Sequence, residues 1–220
     1  MGVLTDEIEA YNKGMQEQVP AETLATMASC TAALKDMGLE DRALHTGETM
    51  ADFVLPNQNG EMRRLSDYLA ASPVVLNVYR GGWCPYCNME MRALQVALPE
   101  IEAQGARLVG MAPETRDKAM STAEVNAIDI DILSDVGNKV AEQMGLVFEL
   151  PEALRAIYDQ FGLDIPAYNG DDSFRLPVPA TYIINRDGRI VYDFVNVDYT
   201  RRVEPMVIIE KLQALGQSKQ

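Results

Sequence analysis

Two cysteines three positions apart, Cys84 and Cys87, lie in the stretch YRGGWCPYCNMEM (79–91), between an apolar run and a helix-like one. Thiols at this spacing can ligate a metal, stand as a structural pair, or cycle between dithiol and disulfide. A zinc site usually takes two more ligands, and the other candidates in the chain are Cys30 and the single histidine, His45. A purely structural pair has no need of a helix start beside glycines. The residue types favour redox chemistry. The strand ending at Tyr79 feeds a turn at Gly81–Gly82, and Pro85 suits the first helical position. Cys84 then falls at the N-cap, facing solvent, with Cys87 in the first turn. Unpaired backbone N–H groups and the positive end of the helix dipole favour a thiolate there, as does Arg80 if it turns toward the sulfurs. The thiolate is the reactive form of cysteine. Trp83 and Pro85 flank the pair as supporting residues.

The elements that must position these thiols are legible in the hydrophobic pattern. VVLNVY (74–79) is a near-continuous, β-branched apolar run, as expected of a buried parallel strand. The helix after the cysteines, NMEMRALQVALPEIEAQ, should kink or break at Pro99. RLVGMAP (107–113) reads as the next strand, followed by a helix over 115–127, a strand edge at IDILSD and a helix over 136–145. A helix is expected at PEALRAIYDQFG. TYIIN (181–185) and RIVYDFV (189–195) flank Arg186–Asp187–Gly188 as a hairpin, and MVIIEKLQALG closes the chain as an amphipathic helix. Upstream, DFVLPNQNGEMRRLSDYL predicts two short strands and a helical turn capped by Ser66. Strand–helix units ending in a hairpin and a helix imply an α/β fold, a central mixed sheet with helices on both faces. Residues 1–44 hold no strand-like run. Leu4, Ile8, Tyr11 and Met15 recur at helical spacing, and Pro20 opens a second helix that Gly38 stops. Cys30, on one face with Met27, Leu34 and Met37, reads as a buried small hydrophobe. We read residues 1–44 as a helical extension, packed on the main domain (45–220) or on a partner subunit, so that a homodimer is one assembly it allows.

Composition narrows the function classes. The chain has 220 residues and a formal net charge of −14, which opposes binding to nucleic acid. No apolar run approaches the ~18 residues of a membrane helix. The N-terminus is acidic and carries neither a secretory nor a myristoylation pattern. These features predict a cytoplasmic protein without nucleic-acid or membrane partners, in which a close cysteine pair is more often catalytic or metal-binding than structural.

Cys-x-x-Cys opening a helix after a buried strand is the thioredoxin-like arrangement. In such folds a cis-proline lies before a later strand and packs against the cysteines. Pro179, after Val178 in RLPVPATYIIN, holds that place, and its cis bond would leave the Val178 backbone free to pair with a thiol substrate. More broadly, DFVLP, LSDYL, VVLNVYRGGWCPYCNMEMRALQ, ILSD, PVPATYIINRDGRI and the YTRR segment resemble the peroxiredoxin-like proteins of the alkyl hydroperoxide reductase/thiol-specific antioxidant (AhpC/TSA) family, over roughly residues 45–205. The resemblance implies a thioredoxin-like fold, no cofactor or metal, and reduction of hydroperoxides with electrons from thioredoxin or a small-thiol donor.

The chain departs from the family pattern where that chemistry sits. Peroxiredoxins carry Thr-x-x-Cys with a proline seven residues before the peroxidatic Cys, and an Arg at the start of the later strand. Laid onto this sequence, the peroxidatic position is Cys87, the Thr position Cys84, the proline position Arg80 and the Arg position Pro179. The alternative alignment makes Cys84 the nucleophile, with Gly81 at the Thr position. Peroxide reduction is therefore the first expectation. Thiol–disulfide exchange on protein or small disulfides is the second, and a non-catalytic redox-sensing module the third.

Overall fold

The computed structural model describes residues 2–217. Three helices come first: α1 (Val3–Gln18), α2 (Ala21–Asp36) and the single turn α3 (Leu39–Arg42). Gly38, at φ 65°, makes the left-handed step that ends α2, a conformation glycine adopts without strain. A short antiparallel pair follows, β1 (Val54–Pro56) with β2 (Met62–Arg64), and then α4 (Leu65–Ala71). Helix α4 starts one residue before Ser66. It is Asp52 that holds its first turn, accepting hydrogen bonds from both the Ser66 N–H and hydroxyl.

The central sheet has five strands in the order β5-β4-β3-β8-β9. These are β3 (Val74–Val78), β4 (Arg107–Ala112), β5 (Asp131–Ser134), β8 (Ala180–Ile184) and β9 (Ile190–Val195). β3 runs parallel to β4 and antiparallel to β8, which makes the sheet mixed as expected. Every residue of β3 is buried, because both of its faces are covered. Val75, opposite Ile183, turns into a core with Leu94 and Ile101 of α5 (Pro85–Ala103) and Ile208 and Leu212 of α10 (Pro205–Gln217). Val74, Leu76 and Val78 turn the other way, into the larger core. Leu4 and Ile8 of α1 and Leu34 of α2 belong to that same core, so the first helices pack on the chain's own sheet domain.

Between the sheet halves run α6 (Arg116–Asn126), α7 (Lys139–Gln143), β6 (Val147–Glu149), α8 (Glu152–Gln160), α9 (Ile165–Asn169) and β7 (Arg175–Pro177). β6 and β7 form a small antiparallel sheet of their own. Two expectations need correcting. α5 runs unbroken through Pro99, which is exposed, so the carbonyl left without a partner lies on the solvent side. The helix expected over 136–145 is limited to α7, because Asn138 takes a left-handed φ of 57° and Asp135 caps the turn through the Val140 and Ala141 N–H groups.

Leu76 sits fully buried in the middle strand, so Leu76→Ala should lower the unfolding free energy by roughly 2–5 kcal/mol. A urea titration with unchanged m-value checks this. Val96→Ala, on the exposed face of α5, should leave the midpoint almost unmoved.

Candidate active site

β3 ends at Val78, and residues 79–84 turn the chain back into α5. Two glycines make that turn possible. Gly81 stands at φ 141°, and a Cβ there would strike the Trp83 ring. A Cβ on Gly82 would come within 2.0 Å of the Thr122 hydroxyl. The Cys84 N–H bonds back to the Gly81 carbonyl at 3.0 Å, and Cys84, in extended backbone conformation, is the N-cap of α5 with Pro85 at its first position. Cys87 follows in the first turn. Both thiols are free.

The predicted solvent-facing position of Cys84 is corrected: it is 1% exposed, and Cys87 is fully buried. Cys84 opens instead on an apolar cavity of about 270 Å³, lined among others by Tyr11, Met15, Met27, Trp83, Tyr158 and Phe161. The cover is α1 and α2, so the first helices seal the N-cap that the sequence alone leaves open to water.

Arg80 does turn inward. It is 2% exposed, donates from Nη2 to the Tyr158 hydroxyl at 2.6 Å, and its guanidinium lies 4.7–5.6 Å from the ring centres of Tyr199, Trp83 and Tyr158. Rings that present their negative faces to a cation replace part of its hydration. A second buried arginine lies on the other side of the pair. The Arg202 side chain is 1% exposed, pairs with Glu90 at 2.7 Å, and places Nη2 3.4 Å from the Cys87 sulfur.

These groups separate the two thiols. Burial opposes ionisation of Cys84, but the hydrogen bond from the Cys87 thiol and the charges of Arg80 and Arg202 outweigh it and bring its pKa to about 6. Cys87 is pushed the other way, by burial and by the neighbouring Cys84 anion, and keeps its proton. The resting pair is therefore a Cys84 thiolate held by a Cys87 thiol.

Two buried carboxyls stand close by. Glu90, one turn beyond Cys87 on α5, is raised to about 7 by burial, partly offset by Arg202. Glu114, after β4, is raised to about 7 by burial against hydrogen bonds from the Gly82 N–H at 2.7 Å, the Thr122 hydroxyl and the Tyr79 hydroxyl. Glu114 thus ties the cysteine turn to the next strand.

Val178 and Pro179 are both buried where β8 begins, and Ala180 pairs with Val78 at the end of β3 from which the cysteine turn leaves. The expected cis bond is absent: the described residues contain no cis peptide, and Val178–Pro179 is trans. Two residues, Val178 and Pro179, join β7 of the small sheet to β8 of the central one. Nor is the Val178 N–H free for a substrate, because it donates to the Leu146 carbonyl at 2.8 Å. Pro179 stands where the resemblance puts the family's arginine, and a guanidinium reaches the Cys87 sulfur from elsewhere, from Arg202 in the segment between β9 and α10. Cys30 is only half-buried on α2, and His45 bonds Asp193 at 2.9 Å. Among the described residues no cluster of three or more His, Cys, Asp or Glu side chains could hold a metal ion.

The sequence does not single out Arg202, Glu90 or Glu114. Two signals were available: an Arg pair (201–202) in an acidic chain, and Glu90 in an otherwise apolar helical stripe three residues from Cys87.

A mixed sheet with a cysteine pair capping the helix after its central strand defines a thioredoxin-like thiol protein. The sequence model of the AhpC/TSA family matches residues 46–193, more than half of the chain, and the chain belongs to that family. A Mycobacterium tuberculosis protein named as a peroxiredoxin is 38% identical over 103 residues, spanning 47% of this chain and 67% of its own. The thiol-disulfide oxidoreductase ResA of Geobacillus kaustophilus is 28% identical over 151 residues, 69% of this chain and 70% of its own. Among solved structures, the peroxidoxin BcpB of M. tuberculosis superposes with a TM-score of 0.62 at 27% identity, covering 78% of this chain and 98% of its own. No helix among the described residues is long and apolar enough to cross a membrane.

Because the thiolate is the form that alkylates, the rate of iodoacetamide reaction at Cys84 should rise with pH through a midpoint near 6, while Cys87 stays protected to much higher pH. Arg80→Met should move that midpoint upward. Peptide mass mapping after timed quenching reads both. A midpoint that stays near 6 in the variant would remove Arg80 from the account of the thiolate.

Proposed function

We propose that this protein is a thiol-dependent peroxidase in which Cys84 meets the hydroperoxide and Cys87 resolves the product. One observation carries the assignment of roles: Cys84 borders the cavity and Cys87 does not, and the Cys87 hydrogen bond with the charges of Arg80 and Arg202 favours the thiolate on that same Cys84 sulfur. The Cys84 thiolate attacks the terminal oxygen of ROOH. The O–O bond breaks, an S–O bond forms, and the departing alkoxide takes a proton to leave as ROH. Cys84 is then a sulfenic acid. The Cys87 sulfur attacks it, its proton and the sulfenic hydroxyl leave as water, and a Cys84–Cys87 disulfide remains. Two electrons from a thiol donor restore the dithiol. Arg80 faces the cavity, so its fixed charge is set to stabilise the anion that develops as O–O lengthens. Arg202 does the same for a Cys87 thiolate.

A second reading is thiol–disulfide exchange. It is favoured by Cys84 standing where peroxiredoxins carry Thr, and by the likeness to ResA. The engaged Val178 N–H weighs against a protein disulfide as substrate, because it leaves that edge without the donor such docking uses.

The roles separate by mutation. Cys87→Ser should react with one equivalent of hydrogen peroxide and stop, holding a sulfenic acid on Cys84 that dimedone captures, with steady-state turnover lost. Cys84→Ser should form no dimedone adduct at a comparable rate. If Cys84→Ser instead captures dimedone on Cys87 as fast as Cys87→Ser does on Cys84, Arg202 and Cys87 are the peroxide-reacting pair and the assignment is reversed. Oxidation of both variants no faster than free thiol would leave only disulfide exchange.

A further inference from the structure

The thiols are roofed by helices that lie outside the family match, and this bears on how the oxidised pair regains its electrons. Tyr11 and Met15 of α1 and Met27 of α2 form one side of the cavity over Cys84. The roof is fastened mainly through α1. Leu4 and Ile8 are buried, the Thr5 N–H and hydroxyl both donate to Glu204 at 2.6 Å, and Arg92 pairs with Glu7 at 2.9 Å. Directly at the site, the Tyr86 hydroxyl donates to Asn12 at 2.6 Å and the Tyr11 ring meets Tyr86 edge-on at 5.3 Å. Beside this cavity a larger cleft of about 910 Å³ runs under α1 and α2 along the segment from Phe194 to Arg202, and the two share Met15, Met27, Tyr86 and Tyr199.

Disulfide exchange requires the attacking sulfur to come within bonding distance of the one attacked, about 2 Å at the product. A helix with its side chains is ~10–12 Å across. A protein dithiol, whose sulfur projects only a few Å from its own backbone, cannot cross such a layer, whereas a small molecule can use the cleft. The free space over Cys84, about 270 Å³, is that of about nine waters at ~30 Å³ each.

Resting on the Cys84–Cys87 disulfide assigned above, we propose that the roof formed by α1 and α2 selects a low-molecular-weight thiol as the electron donor and excludes protein dithiols. The thiolate RS⁻ enters by the cleft and attacks Cys84, the sulfur that borders the cavity. An RS–Cys84 bond forms, the Cys84–Cys87 bond breaks, and Cys87 leaves as a thiolate beside Arg202, 3.4 Å away. A second RS⁻ attacks the RS sulfur of the mixed disulfide, giving RSSR and the Cys84 thiolate, while Cys87 takes up a proton. Two thiols are oxidised to one disulfide and one disulfide is reduced.

The test uses the full chain, oxidised with diamide and checked by mass spectrometry for the Cys84–Cys87 disulfide before any donor is added. Absence of that disulfide overturns the redox assignment and this proposal together, at that first step. With the disulfide present, re-reduction is followed by stopped flow through the fluorescence of Trp83, the chain's single tryptophan, on mixing with glutathione or with reduced thioredoxin. The second-order constant for thioredoxin should be smaller than that for glutathione, a ratio below one, since access rather than donor chemistry limits it. A larger ratio overturns the proposal and leaves the peroxidase assignment standing. The double variant Leu4→Ala, Ile8→Ala, which loosens α1 away from the cavity, should raise the thioredoxin constant by about tenfold or more and the glutathione constant far less. An equal change in both overturns the roof as the selecting element.

Discussion

A sulfur anion out of contact with water is a costly group, and most of what is distinctive in this chain exists to hold one. Cys84 carries negative charge at 1% exposure. Water would ordinarily stabilise that charge; here a thiol, two guanidiniums and the start of α5 replace it. Each guanidinium needs its own support once buried. Arg80 rests among three aromatic rings and bonds Tyr158, and Arg202 is matched by Glu90. The chain of dependence reaches outward from one atom: anion, cations, then the rings and carboxylate that make burial of the cations tolerable.

That dependence explains where the supporting residues come from. Arg80 leaves the end of β3, Tyr158 belongs to α8, Tyr199 and Arg202 follow β9, and Tyr86 is in α5 itself. The site is therefore assembled from segments far apart in sequence, all of which reach the end of the sheet where β3 finishes. Glu114, after β4, secures the glycine turn from the remaining side.

How much of this can be read from sequence follows from whether a signal is local. The order of strands and helices around β3, the hairpin of β8 and β9, and the capping of α5 by Cys84 are encoded by periodicity and by neighbours within a few residues. α5 passing through Pro99 is not, since the outcome turns on whether the freed carbonyl faces water. The burial of Cys84 is set by α1, some seventy residues upstream, and the same distance hides the part played by Tyr11. The role of Arg202 is hidden for a similar reason: the YTRR segment stands out in the sequence, but only the folded chain brings it to Cys87. The pairing of β7 with β6, which engages the chain just before Val178, is likewise announced by no local pattern around Pro179.

Cys84 and Cys87 sit within one turn of the same helix, joined by Pro85 and Tyr86. A resolving sulfur fixed at that range behaves as a reagent of very high effective molarity, because its translational freedom has already been given up in folding. No element has to unravel to bring the two sulfurs together. On the roles proposed above, a sulfenic acid at Cys84 would be captured from within before a second oxidant molecule arrives, and the irreversible steps to sulfinic and sulfonic acid outrun. Architectures that carry the resolving thiol on a separate segment expose the intermediate while that segment moves. This one trades such a pause, usable as a signal of oxidant load, for persistence under it.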